Sequence, residues 1–476
     1  FMQYLLNKIK KIIPVKLFKK IQPIYHFFLS RLSAVIYRHP SEKLIVIGIT
    51  GTTGKTTSVY LTAKMLEEAG YRVGYTSTAM FSDGKKEWLN DKKMTMPGRF
   101  FTQKMLKRML ANKCRYAIIE STSEGMRQFR HRFINYDIVV FTGLYPEHIE
   151  SHGGFENYKK AKGKLFDHLK TCNIKYVNDE KEVQLQKGLK KLELSRVKKT
   201  IVANLEDEHC GYFLDFWAER KMGYLPMGAD AGDHEISENV EKLVWENKKE
   251  DRGVSFAFKS KDLELSEEKI NMKILGDFNI GNSLNAVCIG LAQGLAIKDI
   301  KRGLESVDGI PGRLEKIDLG QDFFVVVDYA FEPNALAKTY DTLDRLPHRR
   351  IIHVLGSAGG GRDADRRPKL GALAGERGDM VIVANEDPYD EDPGSIIDQV
   401  AGGAEKQGKK EGVDLFKIPE RQEAIRKAVF SADKDDLVLI TGKGSEQGIC
   451  MADGKIIPWD DRKVAREEIR EKMSNK

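Results

Sequence analysis

The sequence is poor in the residues on which small secreted or metal-stapled domains depend. Its 476 residues include five cysteines (Cys114, Cys172, Cys210, Cys288 and Cys450), an odd number, widely scattered and without a C-x-x-C pair. That usage excludes a disulfide framework and a zinc knuckle, and it fits a reducing, cytoplasmic compartment. Long apolar runs are missing too. The longest weakly charged stretch, 24–37, carries His26 and Arg31 and falls short of the ~20 residues of a bilayer span. No small-residue cleavage site follows it, so no cleaved signal peptide is expected. There are no internal repeats and no low-complexity tracts. The remainder, 41% hydrophobic and 31% charged, is the composition of a globular protein with an ample core, and the length allows roughly two to four domains.

Acidic residues are absent from the first 40 positions. Lys8, Lys10, Lys11, Lys16, Lys19, Lys20, Arg31 and Arg38 lie there with no Asp or Glu, so this leader accounts for the whole net charge of +8; beyond it 70 basic residues face 70 acidic ones. A nucleic-acid-binding body would be basic in its own right, so no nucleic-acid partner is expected. Pro14 and Pro23 are expected to divide the leader into short helices. Such a basic, amphipathic segment suits peripheral contact with an anionic membrane surface, or helices packed on the body with their lysines in solvent.

From Leu44 short apolar runs alternate with helical periodicity. Strands are expected at 44–49, 116–119, 137–141 and 174–177, with helices such as 58–69 and 155–169 between them. The stretch 200–270 is less regular and is expected to hold inserted antiparallel strands. A second alternating series has strands at 323–327, 351–355, 380–384 and 437–441, after a Gly/Pro turn at 308–313 that marks a junction. The expected fold class is α/β: a P-loop-containing central domain with a mostly parallel sheet (44–307) and a Rossmann-like α/β C-terminal domain (308–476), preceded by a short basic helical leader (1–43).

The chemical signal is strongest where Leu44-Ile-Val-Ile-Gly-Ile-Thr50 runs into Gly51-Thr52-Thr53-Gly54-Lys55-Thr56-Thr57 and then a helix. A strand, a glycine turn and a helix N-terminus aim backbone N–H groups at an anion; the lysine reaches the β- and γ-phosphates and the next hydroxyl can hold Mg²⁺. The general P-loop has glycine where Ile49 stands. The motif points to an ATP site.

Several motifs then follow in the order of a known family. Thr95-Met-Pro97, Glu120-Ser-Thr-Ser123 with Gln128 and Arg130, Glu147-His148, Tyr158-Lys-Lys-Ala-Lys162, Gly276-Asp-Phe-Asn279 with Asn282, Pro311-Gly-Arg313, Asp328-Tyr-Ala330 and Leu355-Gly-Ser-Ala-Gly-Gly-Gly-Arg362 together resemble the Mur ligases, and among them most closely the branch that forms the muramoyl tripeptide. The resemblance implies an ATP-dependent acid–amino-acid ligase of peptidoglycan synthesis, which activates a muramoyl-peptide carboxylate as an acyl phosphate. It implies ATP contacts at Gly51 to Thr57, Asn279, Asn282, Arg313 and Asp328, and Mg²⁺ held by Thr56, Glu120 and His148. Lys55, His148 and Lys162 would be catalytic, with Lys162 carbamylated. Thr95, Ser123, Gln128 and Arg130 would meet the acceptor, while Arg362, Glu386, Asp387, Tyr389 and Glu446 would select the amino acid. The chain is expected to act as a monomer, in the cytoplasm or at the inner membrane surface.

The sequence also departs from the family. Glu124 stands where a histidine is usual, and so does Phe331. Tyr389 replaces the arginine that pairs with the distal carboxylate of diaminopimelate, so an amine-bearing side chain such as lysine or ornithine suits Glu386, Asp387 and Glu446 better. With only about 43 residues before the phosphate-loop domain, the family's uridine-binding domain is not expected in the leader. A folylpolyglutamate- or polyglutamate-type ligase, a P-loop phosphotransferase and a degenerate ATP-binding partner are the alternatives. The sequence contains no Ser–His–Asp or Cys–His arrangement, as expected if phosphoryl transfer does the activation.

Overall fold

The computed structural model describes residues 15–146, 152–177, 183–185, 195–229, 239–248, 253–361 and 364–475. Its first half is built on a sheet of eleven strands among the described residues. From edge to edge they are Leu265–Met272, Val254–Ser260, Val240–Asn247, Arg220–Pro226, Thr200–Asn204, Ile138–Phe141, Ile45–Thr50, Tyr116–Glu120, Val73–Thr76, Met80–Ser82 and Glu87–Leu89. The inner pairs are parallel and both outer pairs at each edge are antiparallel. Strands such as Ile45–Thr50 and Ile138–Phe141 are buried throughout, as near-continuous apolar runs require when helices cover both faces. Alternate residues serve opposite faces. Ile45, Ile47 and Ile49 pack with Val59, Met65, Leu284 and Ile300, whereas Leu44 and Val46 pack with Met105, Met109 and Phe166.

Two expectations change here. Lys175–Val177 leaves the large sheet and forms a separate antiparallel one with Val183–Leu185 and Ser195–Val197, because Lys175 turns inward to bond Asp137. The region 200–270 extends the main sheet: Thr200–Asn204, Arg220–Pro226 and Val240–Asn247 are parallel, and only the last two pairings, either side of Val254–Ser260, are antiparallel.

The second half holds a six-stranded sheet in the order Glu315–Lys316, Phe324–Val327, Leu437–Ile440, Ile351–Leu355, Met380–Val383 and Leu415–Lys417, parallel except at the first pair. Apolar clusters line both of its faces. Gly312, at the junction, has φ +63, and a Cβ there would lie 2.2 Å from the Ser445 backbone nitrogen; only glycine lets the joining loop lie against the second half.

The leader does not break at Pro23. One helix, Val15–Ile36, runs through it; Pro14 lies outside the described residues. Proline removes one helical hydrogen bond, and packing beyond it holds the helix. Phe27 meets Phe129 and Phe133 edge-on at 6.0 and 5.2 Å, and Ser30 Oγ donates to Phe129 O at 2.8 Å. Ile24, Phe28, Leu32, Val35 and Ile36 stay exposed on this helix. No helix of the described residues is long and apolar enough to cross a membrane.

Candidate active site

The C-terminal ends of the strands Ile45–Thr50, Tyr116–Glu120 and Ile138–Phe141 converge on one spot, the position at which parallel sheets commonly bind ligands. The helix Lys55–Glu68 begins directly after the glycine turn. Gly54 has φ +77, and a Cβ on it would meet Asn282 Oδ1 at 2.2 Å, so glycine lets the helix Phe278–Ala292 approach the loop. Thr52 N donates to Gly143 O at 2.8 Å, and Lys55 Nζ donates to Thr52 O at 2.5 Å. Lys162, on the helix Phe155–Leu169, is 2% exposed despite its lysine-rich neighbourhood. Its Nζ donates to Gly51 O at 2.6 Å.

A cavity of about 690 Å³ opens in front of this loop and is lined from both halves of the chain. Glu120, 1% exposed, is part of its lining. Thr56 Oγ1 donates to its Oε2 at 2.9 Å, and Thr78 donates through N to Oε2 at 2.7 Å and through Oγ1 to Oε1 at 2.9 Å. Thr78 Oγ1 is also 2.9 Å from Thr95 Oγ1, which ties the Thr95 loop to the phosphate loop. Ser123 Oγ lies 3.1 Å from His152 Nε2. Asn279 and Asn282 share a 2.8 Å bond at the far wall, beside Trp245 and Phe278.

The second half closes the cavity. Arg313 reaches Thr56 Oγ1 at 3.4 Å, and its guanidinium lies 4.3 Å from the centre of the Tyr329 ring. Asp328 accepts from Leu314 N at 2.8 Å, Ala330 N at 3.0 Å and Thr339 Oγ1 at 3.2 Å, which fixes the carboxylate at the domain junction. Phe331 packs edge-on against Tyr329 at 5.0 Å and lies under the Arg366 guanidinium at 5.4 Å. Tyr145 OH donates across the cleft to Glu332 Oε1 at 2.8 Å.

The amino-acid end is an ionic cluster. Lys443, with no exposed side-chain surface, donates to Asp387 Oδ1 at 2.8 Å and to Glu446 Oε2 at 2.7 Å. Cys450 N donates to Asp387 Oδ1 at 2.7 Å, and Tyr329 OH to Glu446 Oε1 at 3.0 Å. Lys93 enters from the first half and donates to Asp387 Oδ2 at 3.0 Å, Glu446 Oε2 at 2.5 Å and Gly448 O at 2.8 Å. Burial alone would raise the Glu446 carboxyl, but Lys443 and Lys93 hold it down at about 2. Burial works against the Lys93 ammonium, and Glu446 and Asp387 more than offset it, so its pKa rises. Glu386, 4% exposed, is pushed above the ordinary carboxylate range by burial, with Arg366 and Lys443 pulling the other way. Its Oε2 has no hydrogen-bond partner. Lys93, Leu314 and Tyr389, all on the cavity rim or the junction, have φ of +50, +44 and +53, a left-handed backbone that side chains with a Cβ seldom adopt.

Gln128 and Arg130, expected at the acceptor end, do not line the cavity. The chain turns away after the helix Ser123–Arg127, with Phe129 at φ +56. Arg130 donates to Gln128 Oε1 at 2.7 Å and to Met96 O, so the pair braces the Thr95 loop from behind. His148 and Arg362 lie outside the described residues. Thr78, Lys93, Tyr145 and Trp245 escaped the sequence. Lys93, in a Lys92-Lys93 pair, reads as solvated charge, and Thr78 has no motif around it.

A phosphate loop whose cavity is completed by a second α/β half defines a nucleotide-dependent enzyme with working parts drawn from two domains. Residues 49–290 match the Mur ligase middle domain, and residues 312–444 match the glutamate ligase domain of Mur ligases. The chain is 34% identical to the UDP-N-acetylmuramyl-tripeptide synthetase of Roseiflexus sp. (strain RS-1), over 93% of this chain and 82% of that protein. It is 32% identical to the UDP-N-acetylmuramoyl-L-alanyl-D-glutamate–2,6-diaminopimelate ligase of Syntrophomonas wolfei subsp. wolfei, over 94% of this chain and 82% of that one. A solved diaminopimelate ligase structure of the same name shares the fold, with a TM-score of 0.55 and 24% identity over 90% of this chain and 79% of that one. The chain belongs to the Mur ligase family, whose members are ATP-dependent amide-forming ligases.

Proposed function

We propose that this chain joins an amino acid to the carboxylate of a muramoyl-peptide precursor. The observation that carries the reading is the single cavity: phosphate loop and Glu120 on one side, Arg313, Asp328 and the Asp387–Glu446 cluster on the other. The γ-phosphoryl group of ATP passes to a carboxylate oxygen of the acceptor, and ADP leaves. The amine then attacks the acyl carbon, loses a proton, and expels phosphate to leave the amide. Lys55 and Arg313 neutralise charge as the phosphoryl group moves, work that is mostly positioning and electrostatics. Thr56 Oγ1 and Glu120 Oε2, 2.9 Å apart, are hard oxygen donors of the kind Mg²⁺ takes; they would hold it together with His148. Bound there, the ion supplies Lewis-acid stabilisation of the phosphate oxygens. Carbamylation would convert Lys162 from a donor into an acceptor beside the phosphate loop. The amino acid best suited to the pocket carries a terminal amine, because Asp387 and Glu446 already hold an ammonium there.

All the described lining of the cavity comes from one chain, which fits a monomer. The division at 307/308 fits the packing: the helix Ile297–Glu305 lies on the first sheet, and Glu315–Lys316 pairs in the second, while the leader helix before 43/44 packs on the first half. The exposed apolar residues of the leader helix, with Arg31 among them, support peripheral contact with an anionic inner membrane surface. Equal sedimentation with and without anionic vesicles at physiological salt would remove that part.

The direct test is ADP and phosphate release with UDP-N-acetylmuramoyl-L-alanyl-D-glutamate across lysine, ornithine and diaminopimelate. Release that requires both acceptor and one amino acid, with a product of matching mass, is expected. Lys55→Ala is expected to lower that rate by about 10²–10³-fold, the usual cost of removing one transition-state charge donor. ADP release independent of any amine, with a stable phosphorylated product, would instead mark a phosphotransferase.

A further inference from the structure

We infer that Lys93 occupies, from within the same chain, the subsite that receives the terminal ammonium of the incoming amino acid, so that binding exchanges one ammonium for the other. The inference rests on the proposal that the Asp387–Glu446 pocket takes the amino acid's side chain.

Lys93 belongs to the loop between the strand Glu87–Leu89 and the helix Arg99–Ala111 of the first half. Its ammonium nevertheless donates to Asp387, Glu446 and the Gly448 carbonyl, all in the second half. These partners use the full donor capacity of an alkylammonium. The built part of the pocket is Lys443, which is fully buried and bonds both carboxylates. Two carboxylates against one resident ammonium leave one negative charge, and Lys93 supplies the matching cation. A third ammonium beside these two would be buried without a counter-charge, which is costly. A substrate ammonium therefore takes up the Asp387–Glu446 pair only when Lys93 leaves.

Lys93 is the member placed to leave, because it enters from the other half and borders the cavity, whereas Lys443 is fully buried. Lys93 sits on a loop with a left-handed backbone, and 10% of its side chain is exposed. The unpartnered Oε2 of Glu386, which lines the same pocket, is a further acceptor that Lys93 does not use. A side chain of four methylenes ending in an amine reproduces the chemistry of Lys93 itself. A side chain ending in a carboxylate would meet Asp387 and Glu446 as like charges. The exchange also releases the loop that carries Thr95, two residues on, which links recognition of the amino acid to the acceptor side of the cavity.

The test uses the full-length chain. KM and equilibrium-dialysis Kd for L-lysine are measured for the wild type, Lys93→Met and Lys93→Gln, with KM for ATP and for the acceptor as references. If Lys93 fills the subsite nine-tenths of the time, removing it tightens L-lysine about tenfold, the factor by which a competent state populated at one-tenth weakens apparent affinity. KM for ATP is expected to stay unchanged. Inhibition by 1,5-diaminopentane should strengthen in both variants by the same factor. An unchanged or raised L-lysine KM in both variants, in protein whose unfolding transition is intact, overturns the exchange. A wild type that incorporates an amino acid without a terminal amine also overturns it, but leaves the ligase reading standing. Absence of amino-acid-dependent ADP release and of L-lysine binding in wild type and variants sinks the ligase reading and the exchange together.

Discussion

Two buried lysine–carboxylate clusters use the same groups to different ends. In the first half, Asp137, Lys175 and Lys199 have no exposed side-chain surface. Lys175 donates to Asp137 Oδ2 at 2.5 Å and to the carbonyls of Leu44 and Asn135 at 2.6 and 2.7 Å. Lys199 donates to Asp137 Oδ1 at 2.8 Å, Tyr136 O at 2.6 Å and Asn135 Oδ1 at 3.1 Å. Val46 N completes the aspartate at 2.8 Å. Every partner lies within one domain, and backbone carbonyls with the Asn135 amide oxygen take up the surplus donors. In the second cluster the ions come from both halves of the chain, Lys93 faces the cavity, and Glu386 keeps a free acceptor. A saturated network inside one packed unit fixes structure, whereas a cluster shared across a cleft can trade a member for a ligand.

This contrast can be broken by experiment. Asp137→Asn leaves two buried ammonium groups without their counter-ion and is expected to destabilise the first half by about 3–5 kcal/mol. Urea unfolding measures this, and a loss below ~1 kcal/mol, the range of exposed pairs, would place the two clusters on the same footing. Glu446→Gln leaves Asp387 to face both ammonium groups, so it should cost less stability than Asp137→Asn and raise KM for the amino acid by about 10–100-fold, the loss expected for a charge-assisted hydrogen bond, with KM for ATP unchanged. A parallel rise in both constants would point to a cleft that no longer closes. The pH response follows from Glu446. Its carboxyl is held at about 2 against an ordinary 4.5, so its contribution is complete above about 4.5 and is lost as pH falls toward 2. L-Lysine affinity, read by equilibrium dialysis, is expected to fall across that window in the wild type and to stay flat in Glu446→Gln. The smallest effect is expected at the exposed pair Lys273–Asp308, 62% and 80% exposed, where Asp308→Asn should change stability by less than about 1 kcal/mol.

Much of the phosphate side of the cavity was legible because its parts are contiguous. A buried strand, a glycine turn and Lys55-Thr56 occupy twelve successive residues, 45–56, and local geometry alone brings them together. The strands Ile351–Leu355 and Met380–Val383 were legible for the same reason, as short apolar runs between helical periodicities. The leader helix was not, since the penalty at Pro23 is local while the packing of Phe27 on Phe129 and Phe133 is distant in sequence. Lys175–Val177 is a strand as expected, but its place in a separate sheet was not legible, because nothing in its residues says that Lys175 points into the core. Gln128 and Arg130 stand beside the cavity, because the left-handed turn at Phe129 redirects the chain.

The sequence by itself determined the alternation of strand and helix, the phosphate loop and the order of its companion motifs. These depend on periodicity and on neighbours a few residues apart. Tertiary structure decided which charges are paired. Lys93 and Asp387 are 294 positions apart, and Lys175 and Lys199 look no different in sequence from the many lysines in solvent. A charged side chain carries no local mark of its burial. Only the docking of one packed surface on another removes the water and leaves a particular carboxylate within reach.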